Sequence, residues 1–393
     1  MVTMHTELSG RQYGKQLWLN RLVMKYYSEK SEKNGCFVEV SAFETGMGAA
    51  EYNLMLHVDG NGGFEEQLDS LHETLKDVLG RAPFNDIKVI FKRYFIGDIS
   101  LHNDLLSKKL QEFPPCAVSV IQQPPLDGTL IALWLYARTE SCSIYNHIWT
   151  VGKQQSSGSI GEQTIALLAD YEDELLKAGG SIKENCLRTW FFVEDIDNNY
   201  KEFAESRKEY FTKTGLTEKT HYIASTGIEG NNAVKGSKIT MDAYAIEGIK
   251  QDQVKYLYAI SHLSPTYDYG VTFERGVYLQ YGDRRQIYIS GTASIDNQGD
   301  ILHVGNIKGQ ILRIWENVKA LLNEADASFE DIAGIIVYLR NSDDYNLVKN
   351  MFDEHFPRVP AVITFAHVCR PEWLIEMECT AITDKGDYRF ENL

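Results

Sequence analysis

Residues 310–339 read QILRIWENVKALLNEADASFEDIAGIIVYL, and residues 163–193 read QTIALLADYEDELLKAGGSIKENCLRTWFFV. Each opens with apolar positions at i, i+4, i+7 and i+11, as in Ile311, Trp315, Val318 and Leu322, the stripe of a helix laid on a core. A loop of small residues and then a β-rich run follow in both, and a second helix is predicted over 197–211 and over 342–356. Near the N-terminus the plan returns: Leu68, Leu71, Leu75 and Val78 mark a helix, 87–95 a strand and 101–113 a second helical stretch. Self-similarity on this scale is the mark of a repeated structural unit.

The closing strands carry the same pattern. Ile131-Ala132-Leu133-Trp134, Ile239-Thr240-Met241-Asp242 and Ile375-Glu376-Met377-Glu378 each stand a comparable distance after a second helix. Pro115-Cys116-Ala117-Val118 and Val359-Pro360-Ala361-Val362 align at the same offset, and opening strands match more loosely over 52–58, 144–150 and 287–293. Three units result, about 35–137, 140–250 and 265–384, each a sheet with two helices on one face, an α+β plan. Divided without gaps, the chain reads as 1–139, 140–255 and 256–393. Packed around a pseudo-threefold axis, such units bury their mutual surfaces within one chain, so a monomer suffices and higher assembly stays open. The stretch GKQQSSGSIG at 152–161 reads as a surface loop, and the first 34 residues as an extension ahead of the first unit.

Within 368–382, VCRPEWLIEMECTAI, a turn at Arg370-Pro371 feeds an alternating run. Ile375, Met377 and Cys379 take one face; Leu374, Glu376, Glu378 and Thr380 take the other. Carboxylates in a buried strand are rare unless paired or used, because desolvation favours the protonated form. The repeat sorts the two acids. The equivalents of Glu376 are Ala132 and Thr240, so the scaffold needs no acid there, and one kept in a single unit suggests chemistry. The equivalents of Glu378 are Trp134 and Asp242, which leaves Glu378 a solvated or structural acid.

Composition bounds the functional classes. With 393 residues, 44% hydrophobic and 24% charged, the chain is of the soluble globular class, and no run approaches a membrane span. Neither a basic start nor an apolar signal core opens it, so the cytoplasm is the expected compartment. The net charge of −16 argues against nucleic acid, and hence against ribonuclease activity, and against anionic lipid. Six cysteines, Cys36, Cys116, Cys142, Cys186, Cys369 and Cys379, are scattered without a Cys-x-x-Cys pair, so neither a disulfide framework nor a metal cluster is expected.

The third unit, with Ile287-Tyr288-Ile289-Ser290-Gly291-Thr292-Ala293, the helix from Gln310, Ile336-Val337-Tyr338-Leu339-Arg340 and the closing Ile375-Glu376-Met377-Glu378, resembles the Rid (YjgF-like, chorismate mutase-like) fold. That family forms homotrimers with ligand sites in the clefts between subunits, and three units in one chain resemble a fused trimer. Within the superfamily the chain looks like a chorismatase, on Cys369-Arg370-Pro371-Glu372-Trp373-Leu374-Ile375-Glu376, Phe273-Glu274-Arg275-Gly276, Tyr281-Gly282-Asp283-Arg284 and Ser290-Gly291-Thr292-Ala293-Ser294. The resemblance implies cleavage of chorismate to pyruvate and a cyclic acid, with Glu376 as general acid and no cofactor. It further implies the 3-hydroxybenzoate-forming type, which resembles this chain in a Cys seven residues before the acid, here Cys369, and in a Gly matching Gly291.

The two carboxylates of chorismate call for cations, and the third unit offers Arg275, Arg284, Arg285, Arg340, Lys349 and Arg370. Arg275 is favoured because it leads into Ser290-Gly291, and Lys349 because Rid-type proteins place a polar cleft residue on that helix; Ser290 and Arg340 join them as binding candidates. Tyr244, on the last strand of unit two, reads either as a core aromatic or as the opposite wall of the cleft. Imine deaminases of the Rid family carry an arginine two residues after the proline matching Pro360, and here that position is Val362. A hydrolytic chorismatase giving a dihydroxycyclohexadiene carboxylate, an imine deaminase and a non-catalytic metabolite binder remain the alternatives.

Overall fold

The computed structural model describes residues 24–31, 33–45, 48–140 and 143–393; Cys142 and the first 23 residues of the N-terminal extension lie outside them. The first sheet comprises β1 (Lys25–Lys30), β2 (Phe37–Glu44), β3 (Ala50–His57), β4 (Ile87–Ile96), β5 (Ala117–Gln122) and β6 (Ile131–Thr139), with helices α1 (Phe64–Leu79) and α2 (Ile99–Leu110). The second has β7 (Asn146–Gln154), β8 (Cys186–Val193), β9 (Ala224–Glu229) and β10 (Ile239–Glu247), with α3 (Ile160–Lys177), the short α4 (Ile182–Asn185) and α5 (Ile196–Thr214). The third has β11 (Val254–Leu257), β12 (Gly276–Gln280), β13 (Arg285–Thr292), β14 (Ile332–Leu339), β15 (Ala361–Phe365) and β16 (Ile375–Thr383), with α6 (Ile307–Glu324) and α7 (Tyr345–His355).

Strand order makes the repeat explicit. The first sheet runs β1-β2-β3-β6-β4-β5 and the third β11-β12-β13-β16-β14-β15, the same path. The second runs β7-β10-β8-β9, the same path without its first two strands. Each central strand pairs antiparallel with the closing strand and parallel with a short edge strand, as β14 does with β16 and β15. The fold is therefore mixed α+β, three fused units of one plan.

Two sequence readings shift. β1 is part of the first sheet, so that unit begins inside what reads as an extension. The stretch 152–161 is not all loop: β7 continues to Gln154 because it pairs with β10, and Ser159 and Glu162 form a capping box that starts α3.

The central strand of the third unit, β14, Ile-Ala-Gly-Ile-Ile-Val-Tyr-Leu, is buried at every position. Helices cover one face and the other two units cover the opposite one, so a polar residue on either face is buried and needs a partner. Met55, Phe95 and Trp134 of unit one, Trp190, Phe192 and Tyr244 of unit two, and Ile289, Ile336 and Tyr338 of unit three share one core cluster. Each interface also buries an ion pair: Arg93–Asp242 (2.8 Å) between units one and two, Arg188–Glu378 (2.6 Å) between two and three, and Arg284–Glu51 (2.7 Å) between three and one. Among the described residues no helix is long and apolar enough to cross a membrane.

Candidate active site

Glu376 is the second residue of β16, directly opposite Tyr338, the penultimate residue of β14. Ala132 opposes Phe95 and Thr240 opposes Phe192, the penultimate residues of β4 and β8. The pairing thus gives the three residues one place in three sheets. Only the third unit puts a carboxyl there, and that carboxyl is 5% exposed.

It faces a cavity of about 40 Å³ between units two and three. Unit three contributes Val271, Phe273, Arg275, Gly291, Ala293, Ile295, Cys369, Arg370 and Trp373; unit two contributes Tyr200 and Arg207 from α5 and Ser225 and Gly227 from β9. Three guanidiniums and one carboxyl make the lining cationic in a strongly acidic chain.

Burial pushes the Glu376 carboxyl up to about 8, and the like charge of Glu378 adds to the shift, while Arg188 and Arg275 oppose it. Glu376 is therefore neutral at pH 7 and able to give a proton. Glu378 plays a different part. Its oxygens accept from Arg188 Nη2 (2.6 Å), Trp190 Nε1 (2.9 Å) and the Thr226 hydroxyl, all of unit two. It is a structural acid, tied across the interface to unit two.

Gly291 lies against the Glu376 carboxyl so closely that a Cβ there would stand 2.8 Å from Glu376 Cδ and closer still to Oε1. Its N–H donates to Thr226 Oγ1 (2.9 Å), tying β13 to unit two. Ser290 is fully buried; its hydroxyl donates to the Glu274 carbonyl (2.6 Å) and accepts from Ser225 N–H (2.9 Å), so it holds the wall and does not line the cavity. Arg275 is 4% exposed and donates to the Ser264 carbonyl (3.0 Å).

Cys369 lines the cavity as a thiol: burial, with Glu376 nearby, pushes it up to about 12, although a Tyr200 hydrogen bond and Arg370 pull the other way. Arg340 lies behind the lining. It forks Asp197 of unit two (2.9 Å twice) and donates to the carbonyls of Val368, Arg370 (3.3 Å) and Trp373 (3.3 Å). Through these bonds it fixes the loop that carries Cys369.

Arg284, paired with Glu51 (2.7 Å), Arg285, paired with Asp326 (3.1 Å), Lys349 and Tyr244 are not brought to this cavity. Lys349 lies in the cleft between units three and one, paired with Asp353 (2.5 Å). Tyr244 sits in the core with its hydroxyl 2.6 Å from His147 Nδ1 and its ring stacked 4.5 Å from Trp149. The opposite wall is instead Arg207 and Tyr200. Arg207 is 2% exposed, its Nε donates to Thr272 Oγ1 (3.3 Å), and its guanidinium lies 4.8 Å from the Phe203 ring. A signal for it was present: Ile196, Tyr200, Phe203, Arg207 and Phe211 form the inward stripe of α5, and a charge in such a stripe needs a reason.

Residues 274–383 match the Endoribonuclease L-PSP family. A RutC family protein of Pyrococcus abyssi is 34% identical over 97 residues, 24% of this chain and 76% of that protein. The 3-aminoacrylate deaminase RutC of Acinetobacter baylyi is 29% identical over 97 residues, 24% of this chain and 77% of that enzyme. A solved chorismatase superposes with a TM-score of 0.57 at 17% identity, covering 75% of this chain and 92% of that one. Through its third unit the chain belongs to the RutC family, and over three-quarters of its length it has the fold of a chorismatase.

Proposed function

We propose that the protein is a chorismatase, cleaving the enolpyruvyl ether of chorismate to pyruvate and 3-hydroxybenzoate. The observation that carries the reading is a buried Glu376, its carboxyl pushed up by burial, facing a cavity with Arg207, Arg275 and Arg370 in its lining. The enol ether must first gain a proton on its terminal methylene carbon, which leaves an oxocarbenium ion. Carbon protonation needs an acid that is neutral at working pH and held against the substrate, and burial beside Glu378 supplies that state. Arg207, Arg275 and Arg370 would take the two carboxylates of the substrate, from both sides of the interface.

The fate of the ion sets the product. Capture by water consumes one water and gives a dihydroxycyclohexadiene acid; capture by the ring's own hydroxyl leads to pyruvate and hydroxybenzoate without net water, the ring giving up a C–H proton as it aromatises. A tight lining with Cys369, Trp373 and Ala293 favours the second course by excluding water. The cavity is tighter than a ring with two carboxylates requires, so binding has to displace a wall.

Incubation of the purified protein with chorismate, with pyruvate read by a coupled assay and the ring product by chromatography, is the direct test. No pyruvate release would reject the reading. Because Glu376 must be protonated, kcat/KM should be flat at neutral pH and fall above about pH 8; a profile that rises through that range would count against Glu376 as acid. Cys369→Ala should admit water and shift the ratio towards the dihydrodiol, and an unchanged ratio would sink the role given to Cys369. Val362, fully buried on β15, offers no clamp for an iminoacid. Accordingly 2-aminoacrylate hydrolysis should not be accelerated, and a rate comparable with chorismate turnover would favour a deaminase.

A further inference from the structure

The cleft between units three and one is built like the one that holds Glu376, but its charges are reversed. Ala361 and Ile363 line it from β15, at the register held by Ser225 and Gly227 of β9 in the first cleft. His57 of β3 stands directly opposite Ala132, the counterpart of Glu376, so an imidazole reaches this cleft from the neighbouring strand. Glu39 opposes Met55, which opposes Trp134, the counterpart of Glu378. Followed through β13, the same path arrives at Arg275, to within the one-residue bulge of that strand. A carboxylate therefore stands at the level where the first cleft has a guanidinium.

We propose that this cleft is a second ligand site, one that takes a small amphipathic ammonium ion. Two carboxylates are held in its lining. Asp127 Oδ2 lies 2.9 Å from His57 Nδ1, and its other oxygen accepts from the Thr129 hydroxyl (2.6 Å) and N–H (3.1 Å). Glu39 Oε2 accepts from Ala361 N–H (3.0 Å) and lies 3.8 Å from His57 Nε2. Lys349 is committed to Asp353 at 2.5 and 2.6 Å.

With His57 charged, the lining carries three acids, Glu39, Asp127 and Asp353, against two bases, so the net sign favours a cation. Burial holds the Glu39 carboxyl above its usual range, a cost of ionisation that a bound cation offsets. The cavity measures about 230 Å³, with Val58, Ile335, Phe352, Val359 and Ile363 among its walls. That is a little below the roughly 300–1,000 Å³ of pockets for drug-sized ligands, and it suits a single ring or a short alkyl chain beside the charged end. Among the described residues no group of three or more His, Cys, Asp or Glu is placed to hold a metal, so the cation expected is organic.

The test uses the whole chain with two probes of like shape and opposite charge, phenethylamine and 3-phenylpropionate, titrated by calorimetry. Phenethylamine should bind, 3-phenylpropionate should not, and Glu39→Gln, which keeps the shape, should weaken the amine by about tenfold or more. Chorismate turnover by Glu39→Gln should stay at the wild-type level. Crystals of the unaltered protein soaked in 4-bromophenethylamine should show a bromine peak between Ile335 and Ile363, which keeps the test alive should the variant not fold. Tighter binding of the acid, amine affinity unchanged by Glu39→Gln, or a bromine peak elsewhere would each overturn the proposal.

Discussion

Glu376→Gln should lower chorismate turnover by about 10²–10⁴ while leaving the protein folded and able to bind the substrate. Glutamine fills the same space and forms similar hydrogen bonds, but it has no proton to give to carbon. Near-normal pyruvate release by this variant would reject the mechanism outright. Stability supplies an independent readout with a definite sign. The folded-state pKa of Glu376, about 8, lies above the 4.5 of an ordinary glutamate. The wild type therefore holds an extra proton when folded: the contribution of Glu376 to stability is fully present below pH 4.5 and is eroded, by roughly 1.4 kcal/mol per pH unit, until the buried group ionises near pH 8. Glutamine cannot ionise. The variant should match the wild type in Tm at pH 5 and exceed it at pH 8.5. Equal Tm values at both would show that Glu376 is not held neutral.

The repeat was legible because each unit must lay an apolar helix stripe on an apolar strand, and both periods survive in sequences that share little else. Glu376 was legible for the same reason: Ala132 and Thr240 show what the scaffold tolerates at its register. Glu378 was ambiguous by that criterion, since the use of an acid opposite Ile336 depends on Arg188 and Trp190 in another unit. The same limit hid the far wall of the site. The cations that the sequence places near Glu376 belong to unit three, yet Arg207 enters from α5 of unit two, and only the packing of whole units brings it to the cavity lined by Arg275 and Glu376. Lys349 failed as a partner of Glu376 through the same geometry, because α7 faces unit one and not unit two. The missing pair of strands in the second sheet left no trace that a periodicity could register, as an absent strand has no pattern.

The largest loss of stability is expected from Arg188→Met. Arg188 is 1% exposed, and its guanidinium binds Glu378, the Thr226 hydroxyl (2.5 Å) and the Thr189 carbonyl (3.1 Å), with the Trp190 ring 4.5 Å away. Removing it leaves Glu378 buried with only Trp190 and Thr226 as donors, and an uncompensated buried charge of this kind costs about 3–5 kcal/mol. Replacing both partners, Arg188→Met with Glu378→Leu, should recover much of that loss, since a buried ion pair is often no better than apolar groups of similar volume. Urea unfolding of the single and double variants measures the difference, and equal midpoints for Arg188→Met and wild type would show that the pair contributes nothing. The pair also reaches the chemistry, because Arg188 holds the Glu376 carboxyl down while Glu378 pushes it up. Without the arginine, a charge that favours the ionised form of Glu376 is gone, and its proton is held more tightly. Whatever activity Arg188→Met retains should therefore persist to higher pH than that of the wild type; an alkaline limb that stays in place or moves to lower pH would show that the ion pair at the interface does not tune Glu376.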